Sequence, residues 1–174
     1  IPLGTKGAIF GVFTVSETQT YAVGQGGSLL RFNGIAWSPM DSGTVETLRG
    51  VWSNGPDFAV AVGDQGTLRM FDGESWVAGE SKATVDLHAV FGFGSDDVYA
   101  VGDQGTILHW NGEVWIQQIS NVTTDLRCIF GPTPGAVFAG GEQARVLRRT
   151  NGVWVSSNSA ASSVTIQGVW GTSS

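Results

Sequence analysis

Four tryptophans, Trp37, Trp76, Trp115 and Trp154, recur at a spacing of 39 residues, and the residues around them recur with them. A fixed period of this size means a stack of like supersecondary units. Residues 87–119, LHAVFGFGSDDVYAVGDQGTILHWNGEVWIQQI, are the clearest copy. Short apolar runs at 87–91, 98–101 and 106–110, and one opening at Val114-Trp115-Ile116, are separated by turn material at 92–97, Asp103-Gln104-Gly105 and Asn111-Gly112. The runs are too short for ordinary helices, and no 3.6-residue apolar period survives. Each unit reads as a four-stranded antiparallel meander, strands A to D. Asn-Gly between C and D predicts a type I′ hairpin turn, with positive φ at both central residues.

Strand C is apolar at nearly consecutive positions: Leu29-Leu30, Leu68, Ile107-Leu108 and Val146-Leu147. A strand apolar on both faces is buried on both. Small sheets achieve that when stacked around an axis, so the fold class is all-β, with the units as β-propeller blades. The expected domain is 1–174, one propeller or part of one, with blades at 9–47, 48–86, 87–125 and 126–165. In the first blade, strands are expected at 9–13, 20–23 and 28–32, with D starting at Ala36. Residues 1–8 align with the end of a D strand and its following loop. Residues 166–174, opening Ile-Gln-Gly-Val-Trp-Gly, repeat Leu48-Arg49-Gly50-Val51-Trp52 as the first strand of a fifth blade. Four blades and one further strand leave an open edge. That edge is expected to engage a partner, either another copy or a complementing segment.

Composition agrees with this reading. Glycine makes up 26 of the 174 residues, as many tight turns require, and the net charge is −6. Nucleic-acid binding needs clustered Lys and Arg. Only Arg145, Arg148 and Arg149 cluster, which reads as a solvated strand face. The single cysteine, Cys128, stands where other A strands carry Gly11, Gly50, Ala89 and Gly168, and reads as a small buried hydrophobe. No apolar segment of membrane-spanning length is present, so no membrane insertion is expected. Asn121-Val122-Thr123 is a glycosylation sequon that matters only in a secreted eukaryotic protein.

Gly63-Asp64-Gln65-Gly66-Thr67-Leu68 with Asp72-Gly73-Glu74-Ser75-Trp76 resembles bacterial propeller repeats of the Asp-box, sialidase-like kind, and so does 102–107 with 111–115. Similar repeats occur in photosystem II assembly factor-like propellers. The resemblance covers essentially the whole chain. It implies a propeller and a secreted, cell-surface or periplasmic location. One departure is plain: Met70 and His109 stand where an Asp-box opens with Ser or Thr. The turns therefore read as structural.

A sialidase-like hydrolase needs a Tyr nucleophile beside a Glu, an acid and an arginine cluster. Tyr21 and Tyr99 lie in B strands among repeated Ala-Val pairs and read as packing residues, while Asp57, Asp96 and Asp97 lie in A–B turns. His88 and His109 have no third ligand at metal spacing. No catalytic residue, cofactor or metal is expected.

One pattern does suggest a site. The second residue of successive A strands is Phe10, Arg49, His88, Arg127 and Gln167. Strand A is innermost, so Arg49, His88 and Arg127 can gather at the channel mouth. There the B–C turns add Gln25, Asp64, Gln65, Asp103, Gln104, Glu142 and Gln143. The competing reading pairs the cations with Glu46, Asp86 and Asp125, just ahead of the strands. The tryptophan row is expected to pack between blades, with sugar stacking as the alternative. The functional expectation is a non-enzymatic binding or scaffold module that engages a protein partner or another copy through a propeller face or the open edge. The alternative is a lectin-like module binding a glycan at repeated pockets, and a hydrolase ranks last.

Overall fold

The computed structural model describes residues 7–157 and 163–171. The expectations for 1–6, for 158–162 in the last D–A loop and for 172–174 lie outside the described residues. Four separate antiparallel sheets form, each a meander in chain order. The first contains β1 (Ile9–Ser16), β2 (Gln19–Gly24), β3 (Leu29–Phe32) and β4 (Trp37–Pro39). The second contains β5 (Leu48–Gly55), β6 (Phe58–Gly63), β7 (Leu68–Phe71) and β8 (Trp76–Ala78). The third contains β9 (Leu87–Gly94), β10 (Asp97–Gly102), β11 (Ile107–Trp110) and β12 (Trp115–Gln118). The fourth contains β13 (Leu126–Thr133), β14 (Ala136–Gly141), β15 (Val146–Thr150) and β16 (Val153–Ser157). These are four propeller blades. Their A strands run to Ser16 and its equivalents, longer than expected, because the A–B turn is tight and pairing continues to its edge.

The inner strands β1, β5, β9 and β13 pack on one another in chain order, and no packing of comparable extent joins β13 back to β1 among the described residues. Each seam has its own apolar core. Tyr21, Val23 and Leu29 meet Val51, Ala61 and Trp76 at the first seam. Trp52, Val60 and Leu68 meet Val90, Ala100 and Trp115 at the second. Tyr99, Val101 and Ile107 meet Ile129, Ala139 and Trp154 at the third. In the second and third blades strand B is buried on both faces because a blade lies on each side.

Small residues in strand A follow from how closely the inner strands approach. A Cβ on Gly11 would lie 2.8 Å from the Arg49 carbonyl oxygen. Cys128 occupies the same place in the fourth blade, is buried, and has its thiol pKa pushed up by that burial.

The type I′ expectation holds in only one blade. In the fourth, Thr150 pairs with Val153, and Asn151 (φ 51) and Gly152 (φ 82) form the two-residue turn. In the first three the strands are joined by four-residue loops, for example between paired Phe32 and Trp37. There only the glycine has positive φ, and the Asn or Asp side chain caps the loop. Asn33 Oδ1 accepts the Ile35 and Ala36 amides, Asp72 Oδ1 those of Glu74 and Ser75, and Asn111 Oδ1 those of Glu113 and Val114. The longer loop lets the side chain replace the backbone of a tight turn.

Residues 164–171 form no strand ladder, yet they lie against the fourth blade. The Ile166 amide donates to the Gly141 carbonyl at 2.9 Å, and the Ala144 amide to the Val164 carbonyl at 2.7 Å.

Candidate functional site

The strand-A residues of interest share a backbone irregularity. Strand pairing skips Phe10, Arg49, His88 and Arg127: Leu48 opposes Gly63 and Gly50 opposes Val62, with Arg49 left over between them. Each is a β-bulge, which frees its side chain from the pleat and re-aims it. Here the bulge turns the side chain toward the B–C turn of its own blade, fifteen residues on.

That turn is a short 3-10 segment at Gln25–Gly27, Asp64–Gly66, Asp103–Gly105 and Glu142–Ala144. In the second, third and fourth blades its first residue is the acid that meets the bulge. Arg49 Nε donates to Asp64 Oδ1. His88 Nε2 lies 2.6 Å from Asp103 Oδ1, and Arg127 Nη2 lies 3.2 Å from Glu142 Oε1. The second turn residue has positive φ, as at Gln65 and Gln104, and presents its amide to the next blade. The Gln65 amide donates to Asp86 Oδ1 at 2.9 Å and the Gln104 amide to Asp125 Oδ1 at 3.0 Å. Gln65 Nε2 also reaches Glu46 Oε2. Asp86 and Asp125, just ahead of β9 and β13, thus tie the third and fourth blades to the ones before them.

The cations cross the seams too. Arg49 Nη2 lies 3.7 Å from Asp86 Oδ2. Arg127 Nη2 donates to Asp125 Oδ2 at 2.7 Å, and its Nη1 lies 2.5 Å from His88 Nε2 and 3.6 Å from Asp103 Oδ1. His88 Nε2 therefore faces a carboxylate and a guanidinium at once. It donates to Asp103 when it carries the proton and accepts from Arg127 when it does not.

The structure thus gathers Arg49, His88, Arg127, Asp64, Gln65, Asp103 and Gln104 at one end of the inner strands. It also recruits Asp86, Asp125 and Glu142. Gln167 is exposed and Phe10 is apolar, and neither joins this network among the described residues. What the sequence pattern missed was the fifteen-residue pairing of each bulge with its own turn, a register visible only once the bulge is known. The side chains are about one-tenth to two-fifths exposed. Carboxylates outnumber the cations, so the face is net acidic and accessible to a ligand.

A second set of features lies at the outer rim. Each seam opens a cleft between one D strand and the next: about 350 Å³ by Met40 and Trp76, 630 Å³ by Gly79 and Trp115, and 550 Å³ by Gln118 and Trp154. The three tryptophans are buried in the seams, with Trp76 edge-on to Tyr21 and the Trp115 indole N–H directed at Met70 Sδ. Their ring faces are not offered to solvent.

No protein-family model matches the chain, and no curated protein matches it significantly. Among solved structures, "YCF48 bound to D1 peptide" aligns at 18% identity and TM-score 0.70, over 93% of this chain and 56% of that one. YCF48 from Cyanidioschyzon merolae aligns at 18% identity and TM-score 0.66, over 92% of this chain and 59% of that one. The WD40 repeats of RRP9 align at 9% identity and TM-score 0.53, over 83% and 61%. The chain spans somewhat over half the length of these structures, and what the likeness establishes is the β-propeller fold.

Proposed function

We propose that the chain is a non-enzymatic, protein-binding propeller module that receives a peptide segment at its charged mouth. The observation that carries this reading is the row of charged residues at the bulges of three successive inner strands, where the first blade has Phe10. Three consecutive blades spend an irregularity on turning Arg49, His88 and Arg127 toward one half-buried, hydrogen-bonded surface. Stability alone does not ask for this, since partly exposed ion pairs contribute little. With Asp64, Asp86, Asp103, Asp125, Glu46 and Glu142 around two arginines and a histidine, the surface favours a segment rich in Lys, Arg or backbone N–H donors. A structural neighbour that holds a peptide supports the class of ligand. Tyr21 and Tyr99, expected to be packing residues, are buried in the seams, which supports a role without a tyrosine nucleophile.

The lectin alternative gains no such support, because the tryptophans it needs as stacking platforms are buried in the seams. A peptide array probed with the purified chain tests the proposal. Basic peptides should bind, with affinity falling as salt rises. Asp64→Asn with Asp103→Asn and Glu142→Gln should reduce binding at least tenfold while the thermal melt stays cooperative. Retained binding in that triple variant would remove the mouth as the site.

A further inference from the structure

The three rim clefts are equivalent by position but not by charge. Asp41 and Glu74 line the first, and Glu80 and Glu113 line the second, with Lys82 beside them. Each acid stands four residues after one D-strand tryptophan or two before the next. The same two positions in the third cleft are Ile119 and Gly152, and no carboxylate lines it among the described residues. A cation stands at its edge instead. In the first three blades the residue paired with the D-strand tryptophan is aromatic: Phe32, Phe71 and Trp110, with ring centroids 5.4, 5.5 and 5.7 Å from the partner. In the fourth blade it is Arg149, paired with Trp154. Arg149 is half-buried rather than part of a solvated face, and its guanidinium lies 5.5 Å over the Tyr99 ring of the third blade. Its Nη2 lies 4.0 Å from where a Cβ on Gly152 would be, which places it at the cleft.

The charge of Arg149 is unmatched. Among the described residues no carboxylate lies within ion-pair distance of it, although the chain carries 15 acidic residues against 9 Lys and Arg. Asp97, the acid of this seam, is engaged by His109 at 2.7 Å. Arg149 Nε is buried without an acceptor, and so is the indole N–H of Trp154, which lines the cleft and is 2% exposed. Unmet buried donors cost free energy, and an aromatic fills the same position in three blades without that cost. We propose that the third cleft is an anion site, and that its ligand is a carboxylate on an apolar body, borne by a small acid or by a chain terminus. The guanidinium fork matches the two oxygens of a carboxylate. One unpartnered cation suits a single negative charge. Gln117, Gln118 and Asn121 add amide donors, while Ile119 and Val153, 78% and 58% exposed, offer apolar surface to the body of the ligand. A cleft of about 550 Å³ is of the size that small ligands occupy. The mouth is net acidic and selects the opposite charge, so the two readings stand or fall separately.

The probes are hydrocinnamate, a small free acid, and N-acetylalanylphenylalanine, whose one ionised group is a chain-terminal carboxylate. Each is titrated into the intact chain and followed by the nuclear magnetic resonance signals of the Trp154 indole N–H and the Asn121 side-chain amide. A saturable shift with one or both acids is expected, and whichever acid binds more tightly identifies the source of the carboxylate. The corresponding neutral amides should bind at least tenfold more weakly. Arg149→Phe restores the aromatic pair of the other blades, so it should fold and bind at least tenfold more weakly. Ile119→Glu places an acid where the first two clefts have one. Ile119 is exposed, so this variant should weaken binding as much without altering the melt. Asp64→Asn with Asp103→Asn and Glu142→Gln, at the mouth, should leave binding unchanged. Three results each overturn the proposal: no shift with either acid, amides that bind as well as the acids, or full binding in both Arg149→Phe and Ile119→Glu.

Discussion

Trp154 meets Tyr99 edge-on across the seam between the third and fourth blades, with ring centroids 6.2 Å apart and planes at 78°. Trp76 meets Tyr21 in the same way across the first seam, at 5.9 Å and 86°. The D-strand tryptophan of one blade thus closes the core formed with the B strand of the blade before it. Trp37 meets no preceding blade among the described residues and is only partly buried. Truncation should expose the difference. Trp76→Ala and Trp154→Ala should each destabilise by about 3–5 kcal/mol, and Trp37→Ala by much less. Urea unfolding of the three variants checks this, and equal losses would show that the row is not a set of seam plugs.

Tyr99 carries a second consequence. Burial, reinforced by the Asp97 carboxylate and opposed by the Arg149 guanidinium over the ring, pushes its hydroxyl pKa up to about 12. The unfolded hydroxyl titrates near 10. The folded state therefore keeps a proton that the unfolded state has lost, and the contribution to stability is complete below about pH 10 and falls away toward about pH 12. Tyr99→Phe removes the titration. The stability difference between wild type and variant should shrink from about pH 9 to about pH 11, as measured by urea melts at both values. A difference independent of pH would mean that Tyr99 does not titrate in this window.

The B–C turns provide an internal test of backbone strain. The third turn residue is Gly27, Gly66 and Gly105 in three blades, with φ between 69° and 72° for the described values at Gly27, Gly66 and Gly105. A Cβ on Gly66 would lie 1.9 Å from the Ala83 carbonyl oxygen. Gly66→Ala should cost at least ~2 kcal/mol. The fourth blade has Ala144 at this position with φ 51. Ala144→Gly should stabilise by roughly 0.5–1 kcal/mol, the left-handed penalty less the entropy that glycine adds to the unfolded chain. Thermal melts of the pair check both signs.

Asp72 does with a carboxylate what Asn33 and Asn111 do with an amide. The Ser75 and Glu74 amides it accepts hold its pKa below the usual carboxylate value. Its contribution is therefore present above the unfolded pKa near 4 and is lost as pH falls through the lower folded value. Asp72→Asn keeps the acceptor and removes the proton dependence. Stability near pH 7 should be almost unchanged, and the variant should lose less than wild type on going to about pH 2.5. An acid limb identical to wild type would assign the lowered pKa no role in folding.

The fold was legible because its signal is written four times. A period set by Trp37, Trp76, Trp115 and Trp154, with C strands apolar on both sides, admits few architectures besides stacked small sheets. The charged mouth was only half legible. Alignment of the repeats placed Arg49, His88 and Arg127 at one position, since equivalent residues in a repeat occupy equivalent places. It did not show that the position is a bulge, because a bulge is one residue without a pairing partner and leaves no mark on a period-2 pattern. The same limit hid the turn chemistry. Asn33-Gly34 and Asn151-Gly152 read alike as dipeptides, yet strand closure at four residues in one blade and two in another gives them different backbones.

Arg127 is the residue through which the mouth is best tested without reference to a ligand. Its guanidinium bonds Asp125, Glu142 and His88 and lies 3.6 Å from Asp103, so it joins two blades and neutralises part of a carboxylate cluster. The side chain is about a quarter exposed, so solvent screens each pair and the network contributes on the order of 1 kcal/mol in total. Removing it leaves Asp103, Asp125 and Glu142 facing one another with less compensation. Arg127→Ala should therefore lose about 1–2 kcal/mol at low ionic strength and distinctly less at about 1 M salt, where the Debye length is ~3 Å. Arg127→Lys, which keeps the charge but not the forked geometry, should fall between the two. Urea melts of the three proteins at both salt concentrations decide the matter. A loss that does not change with salt would assign Arg127 a packing role and leave the mouth's charge balance to other groups.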